Sequence, residues 1–203
     1  MADIPENNAF HETVGDSLRQ SLAGGVPERK WLVAVVRTNY EEICRQQLED
    51  KGYEAYVACQ KETKVYKNRH RREVTRIIIG RTVFVRVNEK QRLQILKDFP
   101  IIKCFLTNKA AQANEFGRHP FAVIPDKQME RLQFMLYNAN SPVSFTSEPL
   151  RKGDHIRVVR GPLSDLEGEV IRMGNASYLV VTLNVLGSAM VNIPLEDLEK
   201  IVW

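Results

Sequence analysis

The run from Gly153 to Val170 limits the fold more than any other stretch. It reads as strand, tight turn, strand. Ile156 and Val158 alternate with polar neighbours, Gly161-Pro162 breaks the chain, and Gly168 precedes the β-branched pair Val170-Ile171. A glycine at 168 can take backbone angles closed to other residues and, lacking a side chain, lets another strand come close. Apolar runs near 155–160, 168–173, 178–183 and 189–193 are punctuated by Gly161-Pro162, Gly174-Asn175 and Gly187-Ser188. Short strands at this spacing predict a small β-barrel over 150–203.

The chain ahead of it has a different rhythm. Residues 1–30 show no sustained period and contain Pro5, Gly24-Gly25 and Pro27, which predicts a disordered tail. Trp31 to Val36 is continuously apolar and predicts a central strand covered on both faces. Asn39 and Glu42 have the spacing of a capping box. The helix they open carries Tyr40, Ile43, Cys44 and Leu48 on one stripe and stops at Gly52. A β-rich run over 53–66 turns at Asn68-Arg69-His70 and returns to Ile77-Ile79, and Thr82 to Val87 alternates as a half-buried strand does. Glu89 to Phe99 predicts a short helix with Leu93 and Leu96 inward, ended by Pro100, followed by a strand over 101–106. Pro125-Asp126 open a third helix with Met129, Leu132, Met135 and Leu136 on one face. Residues 31–137 thus predict an α/β sandwich with an antiparallel sheet flanked by helices. Residues 138–149, polar and with two prolines, predict a linker to the barrel. The whole is α+β.

Charge is distributed unevenly. Net charge is +4, with +8 on residues 31–137 and −2, −1 and −1 on 1–30, 138–149 and 150–203. The basic middle segment points to nucleic acid or an acidic surface as its partner. Seven Lys/Arg face two Glu between Lys61 and Arg76. At a hairpin tip, Lys67, Arg69, Arg71 and Arg72 would neutralise phosphates and release counterions. The three cysteines are scattered, with no CxxC pair. The four histidines stand beside no plausible nucleophile, and no GxxxxGK[ST] loop occurs. A binding protein without cofactor, metal or catalytic residue is expected. No apolar run reaches the ~20 residues of a membrane span, and no secretory leader is legible at the start, so a cytoplasmic monomer is expected.

The Gly153–Val170 run resembles the KOW motif, with Gly153, Val158, Gly161, Pro162 and Gly168 carrying the likeness. In combination with Trp31-Leu32-Val33, Tyr40-Glu41, Thr82-Val83-Phe84-Val85 and Ile124-Pro125-Asp126, in that order, the chain resembles the NusG family of transcription elongation factors over residues 31–203. Gly187-Ser188-Ala189-Met190-Val191-Asn192-Ile193-Pro194-Leu195 stands where the general factor has Phe-Gly-Arg-Ala-Thr-Pro-Val-Glu-Leu. It is more similar to specialised UpxY-type antiterminators of capsular polysaccharide operons, as is Pro125 to Leu132. Gly80-Arg81-Thr82 departs from the family's Pro-Gly-Tyr.

The resemblance implies an NGN domain that binds the clamp helices of RNA polymerase, increasing processivity, and a KOW domain that recruits a ribosomal protein or termination factor. Val33, Val35, Thr82, Phe84 and Phe105, with Tyr40 at the edge, are the candidate docking residues. Residue 82 occupies the place of the family's exposed tyrosine, and Thr82 and Phe84 share a strand face. Arg37 and Arg45 match positions where specialised members meet the non-template DNA strand; nascent RNA is the other nucleic acid in reach. The alternatives are a general elongation factor and a ribosome- or RNA-binding KOW protein.

Overall fold

The computed structural model describes residues 28–65, 71–148, 150 and 153–201. All but the last three residues of the expected N-terminal tail lie outside these, as do Lys67 and Arg69 at the hairpin tip.

Strand β1 (Lys30–Val36) is the axis of the first half. It pairs antiparallel with β5 (Thr82–Val87) on one side, and with β6 (Ile102–Phe105) and β7 (Val123–Ile124) on the other; β2 (Glu54–Tyr56) adds to the far edge of β5. The unbroken apolar run follows from burial on both faces. Leu32, Ala34 and Val36 pack with Val83, Val85 and Val87 under α1 (Glu41–Asp50) and α2 (Glu89–Asp98), against Cys44, Leu48 and Ile95. Trp31, Val33 and Phe84 face the opposite way, onto Met129, Leu132, Met135 and Leu136 of α3 (Asp126–Asn138). Each fully buried Val, Leu, Ile, Phe or Met among them stabilises the fold by about 1.5–3 kcal/mol.

Two helix details differ from expectation. Tyr40, not Asn39, precedes α1 and makes no side-chain cap, while Asn39 takes the left-handed region at φ 66°, which asparagine tolerates. Glu41 fixes the helix start instead: it is buried, and its Oε1 accepts the Arg81 N–H at 2.6 Å. The capping box belongs to α2, where Asn88 Oδ1 accepts the Gln91 N–H at 3.0 Å and Gln91 Oε1 accepts the Asn88 N–H at 3.1 Å. That helix turns Ile95 and Arg92 inward and leaves Leu93 exposed. The Arg92 guanidinium lies 4.0 Å above the Phe121 ring, so its planar face does the packing expected of a leucine.

The β-rich run over 53–66 is two strands. β2 joins the main sheet, while β3 (Cys59–Val65) forms a two-stranded ribbon with β4 (Arg71–Ile77). The C-terminal half holds β8 (Ser144–Thr146), β9 (Asp154–Val158), β10 (Glu167–Met173), β11 (Ala176–Leu183), β12 (Gly187–Asn192) and β13 (Leu198–Lys200). They form one six-stranded antiparallel sheet, ordered β13-β9-β10-β11-β12-β8, consistent with the expected KOW-like unit. Ile156, Val158, Leu179, Val181 and Val191 fill its interior.

Between α3 and β8 the backbone is held by two side chains of the ribbon, Gln60 and Arg76. Gln60 donates from Nε2 to Ala139 O (3.1 Å) and Ser141 O (2.9 Å), and its Oε1 accepts the Val143 N–H at 2.9 Å. Arg76 donates to Val143 O at 2.7 Å and pairs with Glu62. The segment joining the halves is therefore anchored on the ribbon.

Candidate functional site

Four of the six candidate docking residues form two cross-strand pairs, Val33 opposite Phe84 and Val35 opposite Thr82. They share a face, as the strand parity requires, but α3 packs onto that face at Val33 and Phe84. Val33, Thr82 and Phe84 are buried, and Val35 is half-buried. Phe105 is buried in the other core, under α1 and α2. Tyr40 alone is exposed. An apolar surface built from Val33, Thr82, Phe84 and Phe105 is thus not presented to a partner, because these side chains already have partners within the domain.

The same face comes to the surface one strand further out. Tyr56 on β2 lies opposite Phe84, with ring centroids 6.4 Å apart, and is only half-buried. Burial pushes its phenol well above the usual tyrosine range. Tyr56 and Cys59 form one wall of an open groove of about 810 Å³; Phe134 and Tyr137 of α3 form the other, with Glu130 and Lys61 also lining it. Phe134 is 39% exposed and Tyr137 91% exposed. Two rings on the outer face of a helix whose inner stripe is Met129, Leu132, Met135 and Leu136 serve no core. They are available to a partner. The signal was in the sequence, since Phe134 and Tyr137 are the apolar residues of that helix that fall off its buried stripe.

The cationic candidates separate by what already holds them. Arg71 and Arg72 are exposed at the start of β4, opposite Val65 and Lys64. Arg37 is exposed in the turn after β1. Arg45 is occupied: its guanidinium meets Glu42 at 2.8 Å and Glu49 at 2.6 Å along α1, so its charge is locally balanced. Lys67 and Arg69 lie outside the described residues.

In the C-terminal unit the motif residues are structural. A Cβ on Gly153 would lie 1.9 Å from Val170 O, and one on Gly168 would lie 2.6 Å from Val180 O. Gly161 has φ 84°, ahead of a turn through Pro162, and Val158 is fully buried. A second depression of about 630 Å³ lies between β9, β10 and the C-terminal strand, lined by Ile156, Val170 and Leu195. Among the described residues no group of three His, Cys, Asp or Glu is placed to hold a metal ion, and burial pushes the Cys44 thiol up to about 11. No helix among them is long and apolar enough to cross a membrane.

Comparison with known proteins follows the same lines. The structure of Thermotoga maritima NusG that describes its domain interaction matches with 16% identity and a TM-score of 0.43, covering 86% of this chain and 98% of that one. A chain of the MjSpt4:Spt5 complex, in conformation A, matches with 13% identity and a TM-score of 0.27, covering 84% and 97%. No curated protein sequence matches. The family described as transcription termination factor NusG matches residues 29–133, which hold the main sheet, the ribbon and most of α3. The chain belongs to the NusG family.

Proposed function

We propose that this chain is an operon-specific transcription elongation and antitermination factor that docks on the clamp helices of RNA polymerase through the Tyr56–Phe134–Tyr137 groove. The groove carries the reading. There, at Tyr56, the sheet face that the family resemblance marks for docking opens to solvent beside the two exposed rings of α3, and the groove's run along that helix suits an apolar helical partner. The protein acts by binding in the cytoplasm, without catalysis. Residues 31–137 form the polymerase-binding unit and 150–203 the KOW unit, with 138–149 joining them and lending β8 to the C-terminal sheet; the depression beside Leu195 takes a ribosomal protein or termination factor. The UpxY-type assignment rests on the Gly187–Leu195 segment, which departs from the general factor. Arg71 and Arg72 supply a nonspecific share of binding to the nucleic-acid scaffold. Replacing both by alanine should flatten the salt dependence of that binding by up to ~2 ion units, and an unchanged slope would remove them from the contact.

A photo-reactive amino acid at Tyr137 tests the docking site. On a transcribing elongation complex it should crosslink to the clamp helices of RNA polymerase. Crosslinks confined to ribosomal proteins would favour the RNA-binding alternative and overturn the proposal.

A further inference from the structure

The excursion between β6 and β7 is too long to be a simple connection and is held too firmly to be a loose one. Thr107 and Phe121 bridge at its base, and Asn108 N–H donates to Pro120 O at 2.8 Å. His119 Nδ1 lies 2.9 Å from Ala111 O across its middle. At the tip, Asn114 Oδ1 accepts the N–H groups of Phe116 (3.1 Å) and Arg118 (2.9 Å), while Asn114 N–H donates to Arg118 O at 2.9 Å. Gly117 completes the turn at φ 70°, a conformation that an ordinary side chain would strain. Ordered loops of this length that lack secondary structure of their own are commonly functional.

What this turn presents is the Phe116 ring, 76% exposed, with exposed Arg118 two residues on and exposed Lys109 on the same loop. A lone exposed ring is ordinary on a protein surface. This one differs in standing on a turn with four hydrogen bonds around Asn114, so little ordering entropy remains to be lost on contact. One ring offers too little area for a protein interface, which needs a cluster of buried anchors. It is sufficient for one unpaired nucleobase, which stacks on a single aromatic face while a neighbouring cation meets the phosphate.

We infer that the Asn114–Arg118 turn is a base-stacking contact for single-stranded nucleic acid, with Phe116 as the platform and Arg118 as the phosphate partner. Such binding needs no polymerase, so its failure would leave the groove reading standing. The test is titration of the full chain with a labelled oligothymidylate of about 12 nucleotides at several salt concentrations. Phe116→Ala should weaken binding about tenfold without altering the salt slope, because stacking releases no counterions, and Phe116→Trp should restore it. Asn114→Ala, which keeps the ring but frees the turn, should fall between. Wild-type affinity in Phe116→Ala, or no oligonucleotide binding by the wild type, would overturn the inference. A Phe116→Ala protein that bound the oligonucleotide normally but lost polymerase would assign the ring to a protein surface instead.

Discussion

Phe84 and Tyr56 are opposite one another on adjacent antiparallel strands, and between them the sheet passes from core to surface. Phe84 is fully buried under α3, whereas Tyr56 is half-buried and opens onto the groove beside Phe134. One strand spacing separates a residue that holds the domain together from one free to hold something else.

Thr82 lies on the buried side of that boundary. It is 7% exposed, and its hydroxyl donates to Gly80 O at 3.2 Å. Thr82→Asp would bury an unpaired carboxylate, so the expected result is loss of about 3 kcal/mol or more of stability. Urea unfolding checks this. Loss of polymerase binding in this variant would follow from unfolding and would say nothing about a contact at residue 82.

The contrast shows what the sequence can and cannot express. Alternation gives strand faces correctly: Val33, Val35, Thr82 and Phe84 share one face and Val83 and Val85 point to the other. It does not say which face is covered, because that depends on where α3 docks from forty residues away. The same holds at α2, where Leu93 has the composition of a core residue but Arg92 takes the inward place by stacking on Phe121, a partner from the segment leading into β7. Four of the C-terminal strands were legible because Gly161, Gly174 and Gly187 mark turns in the chain itself. The edge strands β8 and β13 were not, since each is three residues long and pairs with a strand remote in sequence, β12 and β9.

Gln60 gives a prediction about the joining segment. Its carboxamide bonds three backbone groups between Ala139 and Val143, and Val143 is fully buried. Gln60→Ala leaves the buried Val143 N–H without its acceptor, a cost of about 1–3 kcal/mol. Hydrogen exchange should show the Val143 amide losing protection while amides of β11 keep theirs. Unchanged protection at Val143 would mean that the segment is held by other contacts.

Glu167 links the two halves and should report on pH. Its carboxylate accepts from Arg157 and from Arg131 of α3, each at 3.0 Å. The Arg157 hydrogen bond, aided by the charges of both arginines against a smaller opposing effect of burial, lowers its pKa from the ordinary glutamate value. A lowered folded-state pKa contributes stability that is present above the unfolded value of about 4.3 and is lost as pH falls through the folded value. Carbon-detected titration should place the Glu167 midpoint below the value of about 4.3 for an unperturbed glutamate, and Arg157→Ala should raise it. A wild-type midpoint that Arg157→Ala leaves unmoved would mean that the pair is screened out in solution.

The central claim is that the groove between β2 and α3 is where polymerase docks, and affinity for polymerase tests it most directly. Phe134→Asp and Tyr137→Asp place charge on an exposed helix face, so unfolding free energy should change only by the amount of an ordinary surface substitution, about 0.5 kcal/mol. Each should cost about 2 kcal/mol of binding, roughly thirtyfold, and the double variant should not bind measurably at concentrations where the wild type saturates. A folded double variant that binds polymerase with wild-type affinity would contradict the account.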